Sequence, residues 1–574
     1  RKLYFQFVSA TSFMYICANF ESDMRILISL LFISCSLLIQ AQPKEEIRAT
    51  WLTTLGGMDW PARKANSPQG IEAQKNELIR QLDALQAAHF NTVLFQTRLR
   101  GDVVYPSAYE TFAESLTEHT GKNPGYDPLQ FAVEECHKRG LELHAWLVCI
   151  PIGNKRQVGL LGKDCVVKKQ PKLCKQFNGS WYLDPGNPGT AEYLCQIAKE
   201  IVSRYDVDGI HLDYIRYPEQ GEKFPDKDTY RKYGKKQELK QWRRDNITHI
   251  VRRIYTEVKR LKPWVKVSSS PIGKFNDTRR YSSFGWNAYE TVYQDAQKWL
   301  NEGIQDALFP MMYFQGNHFY PFALDWKENK NDRWIIPGLG IYFLHPKEQD
   351  WKIDEIIRQI YFSRKIGLDG QAYFRNKFVL SNTKGILDEL KENFYAYPAV
   401  VPPMRWTKTP LPSQPTQPSL TVQGNHIQMS WKGAENQPGG IYYRIYTSDA
   451  YPVDIENARN LVITRTDSCR YTFISGTSQK GSIYWAVTAV NRFGVESTPL
   501  ALNAPLKDEP TILYGRLPIL PKGYTLIVSE ATGIEILRTT QPKKDIPRKI
   551  GKGFFRLSLL APDGSITPAG VTVF

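Results

Sequence analysis

Four aspartates follow short apolar runs along the first 280 residues: Asp59, Asp102, Asp213 and Asp277. Around them stand Trp60, Gln96, Arg98, Arg100, His144, Trp146, His211, Arg216, Tyr313, Tyr342 and Arg375, a mixture of carboxylates, guanidiniums, imidazoles and aromatic rings. That mixture suits a carbohydrate better than a phosphate or a hydride donor. Sugar rings stack their C–H faces on aromatic side chains, their hydroxyls require paired donors and acceptors, and glycoside cleavage requires two carboxyl groups flanking the bond. Asp213 is the expected nucleophile or base, and Asp102, Asp59 and Asp277 remain open as partners. Trp60, Gln96, Arg98, His144, Trp146, His211, Arg216, Tyr313 and Arg375 are the expected substrate-binding residues. Each has a plainer alternative: an aspartate can cap a loop or pair with a neighbouring arginine, and His144, His211 and Trp146 can belong to the core.

Chemistry of this kind needs elements that bring distant residues to one rim. The stretch Val207–Pro218, VDGIHLDYIRYP, carries Ile210 and Leu212 in alternation with His211 and Asp213, so it reads as a buried strand delivering a carboxylate at its C-terminal end. Seven further segments read as short β-strands, at Ile47–Leu55, Asn91–Arg98, Leu141–Val148, Val265–Ser270, Ala307–Phe314, Trp334–Tyr342 and Gly370–Phe374. Amphipathic segments alternate with them, at Ile71–His89, Pro128–Arg139, Thr190–Arg204, Leu239–Leu261, Tyr289–Asn301, Ile353–Lys365 and Lys384–Phe394, with a short or irregular helix near Phe322–Glu328. Eight strand–helix units predict an α/β protein built on a (β/α)₈ barrel over 45–397, whose strand ends carry the chemistry. A doubly wound open sheet would place a glycine-rich phosphate turn after its first strand, and Gly56-Gly57-Met58-Asp59 is not one.

The remaining sequence divides by composition. Within residues 1–41, Met24-Arg25, the apolar run Ile26–Ile39 and Gln40-Ala41 fit a secretory signal cleaved after Ala41, with 1–23 an upstream extension; lipidation at Cys35 is the weaker alternative. The expected location is therefore the periplasm or cell envelope. Of 8 cysteines, Cys136, Cys149 and Cys195 have the positions of buried thiols, and Cys165 with Cys174 in one polar loop predicts a disulfide. No cysteine or histidine pairs have zinc-like spacing, and nothing points to an organic cofactor. The formal charge of +16 is concentrated in Lys155–Lys175, Lys223–Lys262 and Lys543–Lys552. With an export signal, that excess argues against nucleic acid and fits a solvated face in weak contact with an anionic envelope surface. Residues 398–418 are proline-rich and suit a stiff linker. Short alternating strands over 419–503 predict a small β-sandwich, and more strands over 508–574 a small β-rich C-terminal domain.

Four resemblances sharpen these expectations. The segments GMDWP, QTRLRGDVVYPS, LELHAWLV, YLDPGNP, VDGIHLDYIRYP and VSSSPIG, in that order over Ile47–Phe394, resemble the glycosyl-hydrolase-like family 10, which includes divisome-associated peptidoglycan glycosidases. That resemblance implies an exported glycoside hydrolase acting on peptidoglycan glycan strands, with Asp59, Arg98, Asp102, His144, Trp146 and Asp213 in motif positions. Many members carry a second aspartate directly after the one matching Asp213, where this chain has Tyr214. The fourth strand is also similar to the α-amylase type, whose acid glutamate at the fifth strand end is missing from VSSSPIG, and to the chitinase pattern DGxDxDxE, whose glutamate falls at Ile215. Trp431, Tyr443-Arg444-Ile445-Tyr446 and Tyr484–Asn491 resemble a fibronectin type III module. The alternatives to a hydrolase are a non-catalytic glycan-binding envelope protein on the same scaffold and a structural scaffold built around the sandwich.

Overall fold

The computed structural model describes residues 42–234, 236–423, 426–474, 484–504, 513, 516–530 and 535–574. The expected leader lies outside them. Among the described residues no helix is long and apolar enough to cross a membrane.

Eight parallel strands form the barrel: β1 Ile47–Leu52, β2 Thr92–Arg98, β3 Glu142–Val148, β4 Gly209–Asp213, β5 Lys266–Ser269, β6 Ala307–Leu308, a seventh in two pieces (β7 Trp334–Ile335 and β8 Gly338–Leu339), and β9 Gly370–Tyr373. β7 pairs with β6 and β8 pairs with β9, so the interruption at Ile336-Pro337 hands the ladder from one neighbour to the other and the ring closes through β1. β1, β2, β4 and β5 are buried along their whole length, as parallel strands covered on both faces must be. Two cores result. Ala49, Trp51, Leu94, Trp146, Phe309 and Ala372 fill the barrel, while Val93, Phe95, Leu143, Ile210 and Val267 face the helices.

Local sequence explains where the helices start. α1 Pro68–Ala87, α2 Pro128–Lys138 and α3 Pro188–Arg204 each begin with proline preceded by a capping side chain, Ser67, Asp127 or Asn187, that accepts backbone N–H groups of the first turn. α4 Leu239–Leu261 and α7 Ile353–Lys365 have the expected limits, and the sixth helix, α6 Tyr320–Glu328, is regular. The fifth expected helix is broken: Ala288–Thr291 and α5 Ala296–Asn301 are separated at Val292–Asp295. The break serves the strand exits, because the Gln294 side chain there donates to the Ile215 carbonyl at 3.3 Å and accepts from Ile272 N–H at 3.1 Å.

The start of the proline-rich stretch is packed against the barrel and the following sheets. Glu45 and Val400 form a parallel bridge, Met404 N–H donates to the Phe493 carbonyl, and Val401 and Met404 close the bottom of the barrel interior. Two antiparallel sheets follow, one of three strands (Thr416–Gln423, His426–Lys432, Arg470–Ile474) and one of four (Leu461–Thr466, Ile441–Ser448, Tyr484–Asn491, Leu500–Ala501). A four-stranded antiparallel sheet completes the chain, with an unforeseen helix, Pro542–Lys549, inside the third basic stretch. The expected disulfide is absent: Cys165 and Cys174 are free thiols buried against the outer core, and burial pushes the Cys174 thiol up to about 12.

Candidate active site

Parallel register sets the geometry of the barrel mouth. His144 pairs with Gly209, Trp146 with His211 and Val148 with Asp213, so Asp213 occupies the uppermost inward layer. Its carboxylate is held from three sides: Oδ2 accepts the Trp146 indole N–H at 3.0 Å, and Oδ1 accepts the Ser270 hydroxyl and the Tyr214 backbone N–H, both at 2.8 Å. Asp213 is 6% exposed, and burial raises its pKa although the three donors and the nearby Arg216 oppose the shift.

Beside it the chain turns sharply. Tyr214 takes a left-handed conformation, φ 47°, and presents a ring that is 39% exposed. The Arg216 guanidinium lies over that ring at 4.5 Å and over the Trp286 ring at 5.0 Å. Across the mouth, Tyr313, Tyr342 and Phe374 pack together with ring centroids 5.5–5.8 Å apart, all half-buried. Burial raises the Tyr313 phenol pKa well above its ordinary value, and the charge of Asp213 adds to the shift. Of the expected site residues, Asp213, Trp146, Arg216 and Tyr313 therefore come together at the end of the fourth strand.

The others, Asp102 apart, are engaged with partners elsewhere in the protein. Asp59 accepts Thr53 N–H at 2.8 Å and Lys377 N–H at 3.1 Å and pairs with Arg375, its side chain fully buried; the pair joins the exits of the first and last strands. Trp60 is core, packed on Phe95 and donating to the Gln74 carbonyl. Gln96 accepts the N–H groups of Thr54 and Leu55 and thereby shapes the loop after β1. Arg98 forms a buried bidentate pair with Glu110 at 2.6 and 2.7 Å and donates to the Cys149 carbonyl, bracing β2 against the end of β3. His144 sits below the mouth, bonded to Glu142 at 3.2 Å and packed on Gly209, where a Cβ would meet its ring at 2.6 Å. His211 fills the barrel interior between Trp51 and Ser268, and burial holds its pKa well below the ordinary imidazole range, so it is neutral. Asp277 is in an exposed loop, tied to Lys274 and Ser282, and its pKa is lowered.

Asp102 stays a candidate. Its carboxyl accepts only Arg100 N–H at 2.9 Å, burial pushes its pKa up to about 6, and it lines a cleft of about 470 Å³ with Lys64, Arg100, Glu114 and Glu118. Sequence reasoning missed Phe374 and Trp286 as rim aromatics and Ser270 as a partner of Asp213. The signal for Ser270 was present in its place at the fifth strand end; nothing in the spacing marked Trp286. Among the described residues no group of three or more His, Cys, Asp or Glu side chains is placed to hold a metal ion.

This arrangement can bind a sugar ring against the aromatic wall and present one buried carboxylate to it. The family model described as Glycosyl hydrolase-like 10 matches residues 46–343, more than half of the chain. Among curated proteins, Glycosyl hydrolase YngK of Bacillus subtilis (strain 168) is 32% identical over 505 residues, covering 83% of this chain and 98% of that one. Glycosyl hydrolase DigH of Escherichia coli (strain K12) is 32% identical over 292 residues, covering 48% of this chain and 66% of that one. Among solved structures, the PgaB (BpsB) glycoside hydrolase domain from Bordetella bronchiseptica is 14% identical and covers 62% of this chain and 99% of that one, at a TM-score of 0.39. On the family model and the near full-length match to YngK, the chain belongs to the glycosyl hydrolase-like 10 family.

Proposed function

We propose that the chain is an exported glycoside hydrolase that cuts a bacterial cell-wall glycan, peptidoglycan strands in particular, or a related polysaccharide. The observation carrying this reading is Asp213 at the barrel mouth, held by three donors beside a half-exposed aromatic wall. Asp213 acts as nucleophile or base, attacking the anomeric carbon or activating a water, while a protonated carboxyl gives its proton to the leaving glycosidic oxygen. Asp102, with a pKa of about 6, suits the proton donor, since a carboxyl raised toward neutrality keeps its proton in weakly acid solution. The names of YngK and DigH support hydrolysis, and the leader pattern of Met24–Ala41 supports export. The three- and four-stranded antiparallel sheets support a fibronectin type III-like module.

A non-catalytic glycan-binding protein is the second reading, favoured by the commitment of Asp59 to Arg375 and of Asp277 to Lys274, which leaves Asp102 as the one uncommitted partner among those considered. The test is release of soluble sugar fragments from purified peptidoglycan strands, with and without stem peptides, by residues 42–574 and by Asp213→Asn. Fragments from the first and none from a folded second support the hydrolase. No fragments from either, with strands retained in a pull-down, move the assignment to binding.

A further inference from the structure

Arg216 is a buried cation without a partner. It is 4% exposed, its Nε is sealed from solvent with nothing accepting from it, and no described residue forms a hydrogen bond or ion pair with its guanidinium. Burial of an unpaired charge is costly, and buried arginines elsewhere in this chain are matched: Arg98 by Glu110, Arg243 by Asp226 and Arg444 by Glu496. Asp213 is the neighbouring carboxylate and attracts the Arg216 charge, but its oxygens are bonded to Ser270, Trp146 and the Tyr214 N–H, and no hydrogen bond joins it to the guanidinium.

The stacking explains how Arg216 is held and what it leaves free. The guanidinium carbon lies over the rings of Tyr214 and Trp286, and a ring supplies neither a carboxylate nor a lone-pair acceptor to its N–H groups. The N–H groups lie in the guanidinium plane, where two parallel ones match the two oxygens of an incoming carboxylate. A sugar hydroxyl fills one such position and leaves the charge uncompensated. Trp286 and Phe284, exposed by 36% and 97%, sit on the loop that covers this cation, next to the half-exposed ring of Tyr214. Flat apolar surface beside a cation is complementary to a pyranose bearing a carboxylate.

We propose that Arg216 is the receptor for a carboxylate on the glycan, so that the barrel mouth selects acidic sugar units over neutral ones. This rests on the glycan reading of the site and names its substrate class. Glycan strands stripped of peptide carry such a carboxylate on alternate sugars.

The experiment measures equilibrium binding of soluble stripped strands, and of the same strands with their carboxyls reduced to alcohols, to residues 42–574 carrying Asp213→Asn. The same protein is compared with added Arg216→Gln or Arg216→Lys. The expected result is an about 10-fold preference for acidic strands, as for a charge-assisted bidentate contact, abolished in the Gln variant by weaker binding of the acidic strands alone and partly kept by Lys. Rising salt diminishes the preference and leaves neutral-strand binding unchanged. Equal affinity for both strands before Arg216 is altered, a preference that survives Arg216→Gln, or no binding of acidic strands overturns the proposal. Hydrolysis by the unaltered protein is scored separately: cutting without preference removes the role of Arg216 and keeps the glycosidase, whereas preference without cutting does the reverse.

Discussion

Both ends of the barrel carry matched ion pairs, and they differ in what is left over. At the end where the strands begin, Arg492 of the sandwich donates to both oxygens of Asp206 at 2.9 Å and to Asp208 at 3.3 Å, and Asp208 also accepts Leu143 N–H and pairs with His137. Glu496 is shared by Lys44, Arg444, Thr488 and Tyr446. At the end where the strands finish, Arg216 has no acceptor and Tyr214, Phe284 and Trp286 face solvent. Matched charge at the closed end joins the sandwich to the barrel, whereas the open end, besides its pairs Asp59–Arg375 and Arg98–Glu110, keeps one cation without an acceptor among the described residues and bare aromatic surface.

The sharpest break in that contrast is Asp213→Asn. It should lower turnover of glycan strands by about 10³-fold or more, the scale of losing an essential carboxylate, while the unfolding midpoint in urea stays close to the parent's. A variant that loses activity by unfolding instead would place Asp213 with the scaffold. Arg98→Ala should show the reverse, losing about 3–5 kcal/mol of stability because Glu110 is left buried and unpaired, measurable as a shifted urea midpoint.

Acid should separate the two ends. Glu496 has its pKa lowered from 4.5 to about 2, so its contribution to stability is complete above about 4.5 and is lost as pH falls from there toward 2. Asp213 is shifted the other way: its raised pKa means the ionised, active form is lost at a higher pH than for an ordinary aspartate, so activity should fall on acidification before the fold does. With Asp102 as proton donor, activity also declines above about pH 6, and Asp102→Asn removes that alkaline limb. A pH–rate profile beside a thermal melt series checks the order, and Glu496→Gln should flatten the acid slope of the melts. The smallest effect is expected for Tyr313→Ala, a loss of about 1 kcal/mol of ring stacking, seen as a several-fold higher KM with kcat little changed.

Strand positions were legible because buried parallel strands are short apolar runs bounded by turns, and Ile47–Leu52, Gly209–Asp213 and Gly370–Tyr373 carry that signal without ambiguity. The fifth helix was not, because its periodicity continues through Val292–Asp295 while Gln294 leaves the helix to bond the strand exits. At the site, residue type singled out Asp213, Arg98, Asp59 and Trp60 alike, and the structure sets Asp213 at the barrel mouth, pairs Arg98 with Glu110 and Asp59 with Arg375, and packs Trp60 on Phe95. An arginine or aspartate near a strand end has the same sequence signature whether it faces a ligand or a buried counter-charge.

By itself the sequence determined the order of elements, the barrel class, the family motifs and the carboxylate at the end of the fourth strand, since all of these follow from local periodicity and composition. Only the tertiary structure decided which charges are already paired. Pairing joins residues far apart in the chain, Asp59 with Arg375 and Asp208 with Arg492, through a closed ring of strands and a docked sandwich. No local pattern encodes those distances, and so none could show that Arg216 is left without an acceptor among the described residues.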